Sequence, residues 1–554
     1  MAERAGDPSE GAGGYSRRAV MRGGGTAALA ALGSVALRGR AVAKEPAAKP
    51  APARAGEHTP YVPRPNPTQY TFAVEAKTLD PDGQQGVPGL TVNGSFPGPE
   101  IRVRQGEQLR VLVENRLDGR QTAIHWHGIL LPAAMDGVPD ISNAPIEPGQ
   151  MYVYEFPLLQ SGTYWYHSHV GFQEQIGLYG PLVIEAADDP VHAEHDAVVM
   201  LSDWLHRSPE QVYAALRGET PADAPGGAGM PGMGDKKGMS GMAASPGMAG
   251  MAGTKEGPAA SAMAGMATPA AAAGATAAAA AMPAMKMSGA ADLSDVKYPS
   301  FLLNGTAPAA PWTLAARPGE RIRLRIVNAS GSTFFRVALD EHQLEVTHAD
   351  GIAVRPVTAD HLLMGTAETY DVLVTLKKSG SYTLHGVAQD GSGQAIGVLH
   401  TPDVRPAPNR ALPSFPGRPL AYAQLRALAP TTLPEGELRT FRLPLQGDMQ
   451  KYIWMIDGQV WPKADPLRIK RGDRVQIEMT NQTMMWHPMH LHGHFFRLLQ
   501  GAGDFCPLKH TVNVPPGETV RIEFTADNPG RWFFHCHNVY HLEAGMAREF
   551  VYTT

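Results

Sequence analysis

Near its C-terminal end the chain reads His535-Cys536-His537, followed by His541 and Met546. Cys536, His541 and Met546 have the make-up of a blue-copper site: thiolate and imidazole as strong ligands, thioether as a weak axial one. The flanking imidazoles cannot easily serve the same ion. Neighbouring residues on a strand project to opposite faces, so His535 and His537 point away from Cys536, towards something else. One tripeptide is therefore expected to address two metal sites.

Three further histidine groups have matching spacing: His125-Trp126-His127, His167-Ser168-His169, and His487-Pro-Met-His490-Leu-His492. Each H-x-H puts two imidazoles on one face of a strand. Four such pairs, two from each end of the chain, can meet at an interface. Eight neutral imidazoles are too many for one ion and right for about three. A single pair is equally a zinc motif, and imidazole alone suits several metals. The Cys-x4-His-x4-Met loop selects copper. Ten of the 21 histidines fall in these motifs, which argues against coincidence. By contrast His342, His348, His361 and His385 are scattered and read as ordinary histidines.

Short strands must position these groups. Ile101–Arg104 and Gln108–Glu114 read as strand, turn and strand with Gly106 at the turn, and Met151–Phe156 as another strand. A unit of charged turn, strand and Asn occurs three times: Arg104-Gln-Gly-Glu107 to Asn115, Pro318-Gly-Glu320 to Asn328, and Lys470-Arg-Gly-Asp473 to Asn481. The interval is too long for a solenoid, and three β-sandwich domains of one type fit best. With 554 residues the chain is too long for one core. A net charge of −5 with both signs mixed gives no reason to expect a nucleic-acid partner. Only two cysteines are present, and with Cys536 assigned to metal, Cys506 has no disulfide partner and is expected to be buried.

Two segments stand apart. Ser16-Arg17-Arg18-Ala19-Val20-Met21, the apolar run Thr26–Leu37 and Ala41-Val42-Ala43 read as a twin-arginine export signal, which places the protein in the periplasm or otherwise outside the cytoplasm. Beyond residue 60 no run is long enough for a transmembrane helix. Between Pro221 and Asp292 the chain is mostly Ala, Gly, Pro and Met, too poor in core formers to fold, and is expected to be disordered. Its methionines pair as Met230/Met233, Met239/Met242, Met248/Met251, Met263/Met266 and Met282/Met285. Repeated thioethers suit Cu(I); a low-complexity spacer is the other reading.

On these motifs the chain resembles a three-domain multicopper oxidase, the family of laccases, ascorbate oxidase and bacterial copper-resistance oxidases, over roughly residues 65–554 outside the Met-rich stretch. It is most similar to the copper-resistance protein A subgroup, on Leu131-Pro-Ala-Ala-Met-Asp-Gly-Val-Pro139, Gln160–His169, Gly171-Phe-Gln-Glu-Gln175, the Met-rich insertion and the twin-arginine signal. The resemblance implies an all-β fold of three cupredoxin-like Greek-key sandwiches. It divides the chain into a signal (1–43), a linker (44–64), domain 1 (65–190), domain 2 (191–404, carrying insertion 221–292) and domain 3 (405–554).

It also implies four copper ions. One of type 1 is held by His487, Cys536 and His541 with Met546 axial, and one of type 2 by His125 and His490. A type 3 pair is held by His127, His167, His169, His492, His535 and His537. The implied reaction takes single electrons from a donor, Cu(I) or a phenol, passes them through Cys536 to His535 and His537, and reduces dioxygen to water. A copper-sequestering protein is the alternative from another class. Asp136 resembles the family's acidic residue near the oxygen-reducing cluster, although Asp136-Gly137 is also a good turn dipeptide. Glu543 orients the blue-site loop or is a solvated charge. Some copper-oxidising relatives carry Asp and Met beside the blue site, whereas Asp457-Gly-Gln-Val-Trp461 has no Met. Met484, Met485 and Met489 are substitutes or core.

Overall fold

A computed structural model describes residues 67–219, 292–417 and 419–553. The export signal, the linker and the methionine pairs lie outside the described residues. Strands dominate, with short α-helices at Pro209–Leu216 and Val539–Glu543. No described helix is long and apolar enough to cross a membrane.

Three β-sandwiches follow one another, each built on the same pairings. In the first, Thr68–Leu79 runs parallel to Gln108–Asn115, and Ile101–Arg104 parallel to Tyr179–Glu185. In the second the equivalent pairs are His195–Trp204 with Arg321–Asn328, and Trp312–Ala315 with Gln394–His400. In the third they are Leu438–Arg442 with Arg474–Thr480, and Leu467–Lys470 with Ala547–Thr553. The other pairings are antiparallel, giving the crossed connections of a Greek key. Gly106, Gly319 and Gly472 hold φ of 87°, 90° and 90° at the equivalent turns, a region open to glycine without steric cost.

The recurring asparagine now has a physical role. Asn115, Asn328 and Asn481 are buried, and each side-chain amide donates to two backbone carbonyls while its oxygen accepts a backbone N–H two residues on. Each therefore fixes the loop leading to the next strand of the opposite sheet. In the first and third sandwiches that strand is His125–His127 or His487–Leu491. In the second it is Phe335–Leu339, where buried Phe335 and Val337 stand in place of imidazoles. The middle domain keeps the frame and lacks the ligands.

Alternation places the chemistry. On the strand His125–His127, Trp126 faces the core against Tyr154 and Phe156, at centroid distances of 5.5 and 5.4 Å, leaving His125 and His127 on the other face. Burying such a core side chain contributes roughly 1.5–3 kcal/mol, which holds the register and so the direction of both histidines.

Candidate metal centre

Eight histidines from the first and third sandwiches converge in one buried volume. Strand Gly162–His167 carries His167 beside His125, and Ser168 and His169 follow it. Strand His487–Leu491 pairs with Arg531–Cys536, setting His490 opposite His535 and Met489 opposite Cys536. Side-chain nitrogens cluster as His125/His127/His490, His125/His169/His492 and His127/His167/His537, each set lying within 4.8 Å. His535 joins through its Nε2, 3.0 Å from that of His492. A separate trio, His487, Cys536 and His541, has the same compactness. His342, His348, His361 and His385 belong to no such group among the described residues.

Backing groups fix which nitrogen of each ring is free. Nδ1 of His125 meets the Asp136 carbonyl at 2.7 Å and that of His492 meets Asp136 Oδ2 at 2.8 Å. Nδ1 of His167 lies 2.6 Å from Glu174 Oε2, that of His490 2.8 Å from the His510 carbonyl, and that of His535 2.9 Å from the Cys536 carbonyl. An imidazole that donates from Nδ1 presents a lone pair at Nε2. The facing Nε2 atoms of His492 and His535 are therefore two lone pairs that cannot bond to each other. Nε2 of His125, His169, His490 and His537 is buried with no hydrogen-bond partner. Leaving such atoms unpaired costs about 1–3 kcal/mol each. Cations shared among these sets of rings resolve the conflicts.

Electrostatics agree. Burial, reinforced by neighbouring imidazoles, holds His127, His169, His487, His490 and His492 well below the usual histidine range. Burial likewise depresses His167 and His537, and takes His535 to about 3. These rings are neutral, the form that binds metal.

In the second trio the pattern inverts. Thr483 Oγ1 donates to Asn481 Oδ1 at 2.8 Å, so it accepts from His487 Nε2 at 2.7 Å. Asp295 Oδ2, which also takes the Tyr452 hydroxyl hydrogen, stands 3.6 Å from His541 Nε2. Both rings thus turn Nδ1 inward, 3.2 Å apart, at 3.7 and 3.6 Å from Cys536 Sγ. Donors about 2.0–2.3 Å from one ion and trigonal about it stand roughly 3.5 Å apart, so the triangle fits a single ion. Met546 is buried, and its carbonyl accepts from Cys536 N at 3.0 Å. Burial pushes the Cys536 thiol far above its usual range, so it ionises only beside a cation.

Several residues take on roles that spacing could not show. Asp136 is buried and touches two clustered histidines, more than a turn residue does. Glu174 is buried beside His167, and burial raises its carboxyl to about 7. It belongs to a quoted motif, but its role was not legible there. His510, Thr511 and Asp295 carried no sequence signal. Glu543 lines a small cleft of about 10 Å³, room for about one water, shared with His167, His169, His535 and His537, and burial with nearby Glu210 raises it to about 8. Met485 and Met489 are buried, and Met484 is half-buried. Cys506 is buried, its thiol 3.1 Å from the Gly503 carbonyl.

These two centres, one of thiolate and imidazole and one of imidazoles alone, define a metal-dependent redox protein on cupredoxin-like sandwiches. Multicopper oxidase profiles match residues 73–189, 195–402 and 439–554, and the chain belongs to the multicopper oxidase family. It is an oxidoreductase of that type, and the family implies copper as its metal. A copper resistance protein A homolog of Pseudomonas syringae pv. tomato is 34% identical over 83% of this chain and 88% of its own length. The multicopper oxidase MmcO of Mycobacterium tuberculosis is 35% identical over 84% of this chain and 83% of its own. Among solved structures, Fet3p, a multicopper oxidase that functions in iron import, aligns with TM-score 0.68 at 20% identity over 88% of this chain and 90% of that one. The laccase of Botrytis aclada aligns at 0.65 and 24% over 87% of both.

Proposed function

We propose that this oxidase couples one-electron oxidation of Cu(I), and of phenols, to the four-electron reduction of dioxygen to water. The observation that carries this reading is the tripeptide His535-Cys536-His537, whose cysteine belongs to one centre and whose histidines belong to the other. In this reading His487, Cys536, His541 and Met546 would hold a type 1 copper, His125 and His490 a type 2 copper, and His127, His167, His169, His492, His535 and His537 a type 3 pair. Bound there, copper would supply one-electron redox chemistry towards the donor at the first site and towards dioxygen at the histidine cluster.

The chain's own residues do the rest. The Cys536 backbone links the centres through two peptide bonds, a short covalent path. Asp136 fixes His125 and His492, and Glu174 fixes His167, so the neutral rings hold their direction without reorganisation. The small cleft beside His167, His169, His535 and His537 is the place on the histidine cluster where dioxygen would approach in this reading. His487, Cys536 and His541 are fully buried, and Tyr452 and Trp454, themselves buried, pack against His541, so a donor at the surface would give its electron across such packing rather than by direct contact.

Cu(I) is favoured as donor by the copper-resistance relatives and by the five methionine pairs, which would bind extra Cu(I). Those pairs also favour a second reading, in which sequestration is the main task and oxidation secondary. The twin-arginine pattern supports export to the periplasm. Oxygen uptake by copper-loaded protein, with Cu(I) and with a phenol as donor, tests the oxidase reading. Consumption with both is expected, faster with Cu(I), and no consumption with either would overturn it.

A further inference from the structure

Asp350 belongs to the middle sandwich, which contributes none of the clustered histidines. It sits with φ of 48° in the turn between strands Leu344–Ala349 and Ile352–Ala359, and its side chain is fully buried. Oδ2 accepts the backbone N–H of His510 at 3.1 Å and of Thr511 at 3.0 Å. Oδ1 lies 3.1 Å from Lys509 Nζ, an ammonium that also reaches Glu368 Oε1 at 3.0 Å and sits over the rings of Tyr370 and Tyr422. Three consecutive residues of the third sandwich hang from this one carboxylate.

Two of these three residues, His510 and Thr511, hold His490. The His510 carbonyl accepts from His490 Nδ1 at 2.8 Å. Thr511 Oγ1 stands 3.2 Å from that Nδ1 and 3.4 Å from His127 Nε2. His490 Nε2 is thereby turned, unpaired, towards His125 and His127. The turn also abuts the first sandwich. A Cβ on Gly162, at the start of the strand carrying His167, would meet the Gly351 carbonyl oxygen at 2.1 Å. One on Gly351 would meet the Tyr164 ring at 2.3 Å. Neither glycine has room for a side chain, so the turn packs closely on the first sandwich.

We propose that Asp350 is a positioning residue for the ion held by His125 and His490, so that the domain without copper ligands sets the geometry of one copper site. This rests on the ligand assignment above. The path is short: carboxylate to the His510–Thr511 backbone, backbone and hydroxyl to His490, His490 to the ion. A carboxylate suits the place because one oxygen takes two N–H groups while the other balances Lys509. The amide of Asn keeps the shape and loses the charge that anchors Lys509. The side-chain hydrogen bonds of Asp350 and Thr511 lead to His490 and His127, and among the described residues none of them reaches His487, Cys536 or His541, although His487 shares a strand with His490.

The test loads parent and Asp350→Asn with copper in parallel. It measures copper per chain and the paramagnetic resonance signals of the blue and non-blue mononuclear ions. Losing an outer hydrogen-bonding partner of a metal ligand typically weakens binding about 10–100-fold, so the non-blue signal is expected to fall below half under a competing chelator while the blue signal stays whole. Thr511→Ala should give the same selective loss and Thr511→Ser should restore it, a pair that carries the test if Asp350→Asn does not fold. Parent-like signals in both Asp350→Asn and Thr511→Ala would overturn the inference, as would equal loss of both signals. A parent protein with no non-blue signal would instead overturn the ligand assignment and the inference with it.

Discussion

Asp136→Asn separates the two centres cleanly. The substitution keeps the side chain's shape and removes one negative charge from a fully buried site. The Asp136 carbonyl still accepts from His125 Nδ1 at 2.7 Å, so that ring keeps its direction. His492 exchanges a carboxylate acceptor at 2.8 Å for a neutral amide. A hydrogen bond to a charged group contributes about 1.5–3 kcal/mol and a neutral one about 0.5–1.5. The loss is therefore on the order of 1–1.5 kcal/mol, about tenfold in affinity for the ion that His492 binds. Asp136 touches none of His487, Cys536 and His541. The assay is a chelator titration of copper-loaded parent and variant, read as copper per chain and blue absorbance, with oxygen uptake from a saturating phenol alongside. Expected are copper release from the histidine cluster at about tenfold weaker chelation, slower oxygen uptake and an unchanged blue band. Uptake equal to the parent's would refute the role given to Asp136, and loss of the blue band in step would refute the separation of centres.

Three further outcomes follow from the same geometry. Cys536→Ser should abolish the blue absorption while the histidine cluster still binds copper in metal analysis; a persistent blue band would remove Cys536 from the ligand set. Asp371, buried between Arg323 and Arg325, has its carboxyl taken down to about 2, because those guanidiniums outweigh the burial that would raise it. Its contribution, about 2 kcal/mol, is present above the unfolded pKa near 4 and lost as pH falls from there to about 2. The stability gap between parent and Asp371→Asn in denaturant melts should narrow over that window, and a constant gap would contradict it. Deleting residues 221–291 should lower copper tolerance of cells and leave phenol oxidation by the purified protein unchanged; full tolerance would reduce the methionine pairs to a spacer.

Much of this protein was determined by local sequence. Period-two alternation set His535 and His537 against Cys536, and His125 and His127 against Trp126, because a strand has two faces and one of them must be buried. The thrice-repeated turn, strand and Asn declared three copies of one fold, since each copy needs a glycine at its turn and an amide to tie its next loop. Spacing could also say that the middle copy has no ligand pairs. What only the tertiary structure decided is how the remote segments meet and which groups back them. Asp136, Glu174 and Thr483 each fix a histidine nitrogen and so free the other, and two of the three lacked any residue spacing that tied them to a ring. Asp350 lies 160 residues from His510, and its role exists only where three sandwiches close on one buried turn. Side-chain chemistry and alternation are local properties of a chain; the direction of a lone pair inside a shared cavity is a property of its packing.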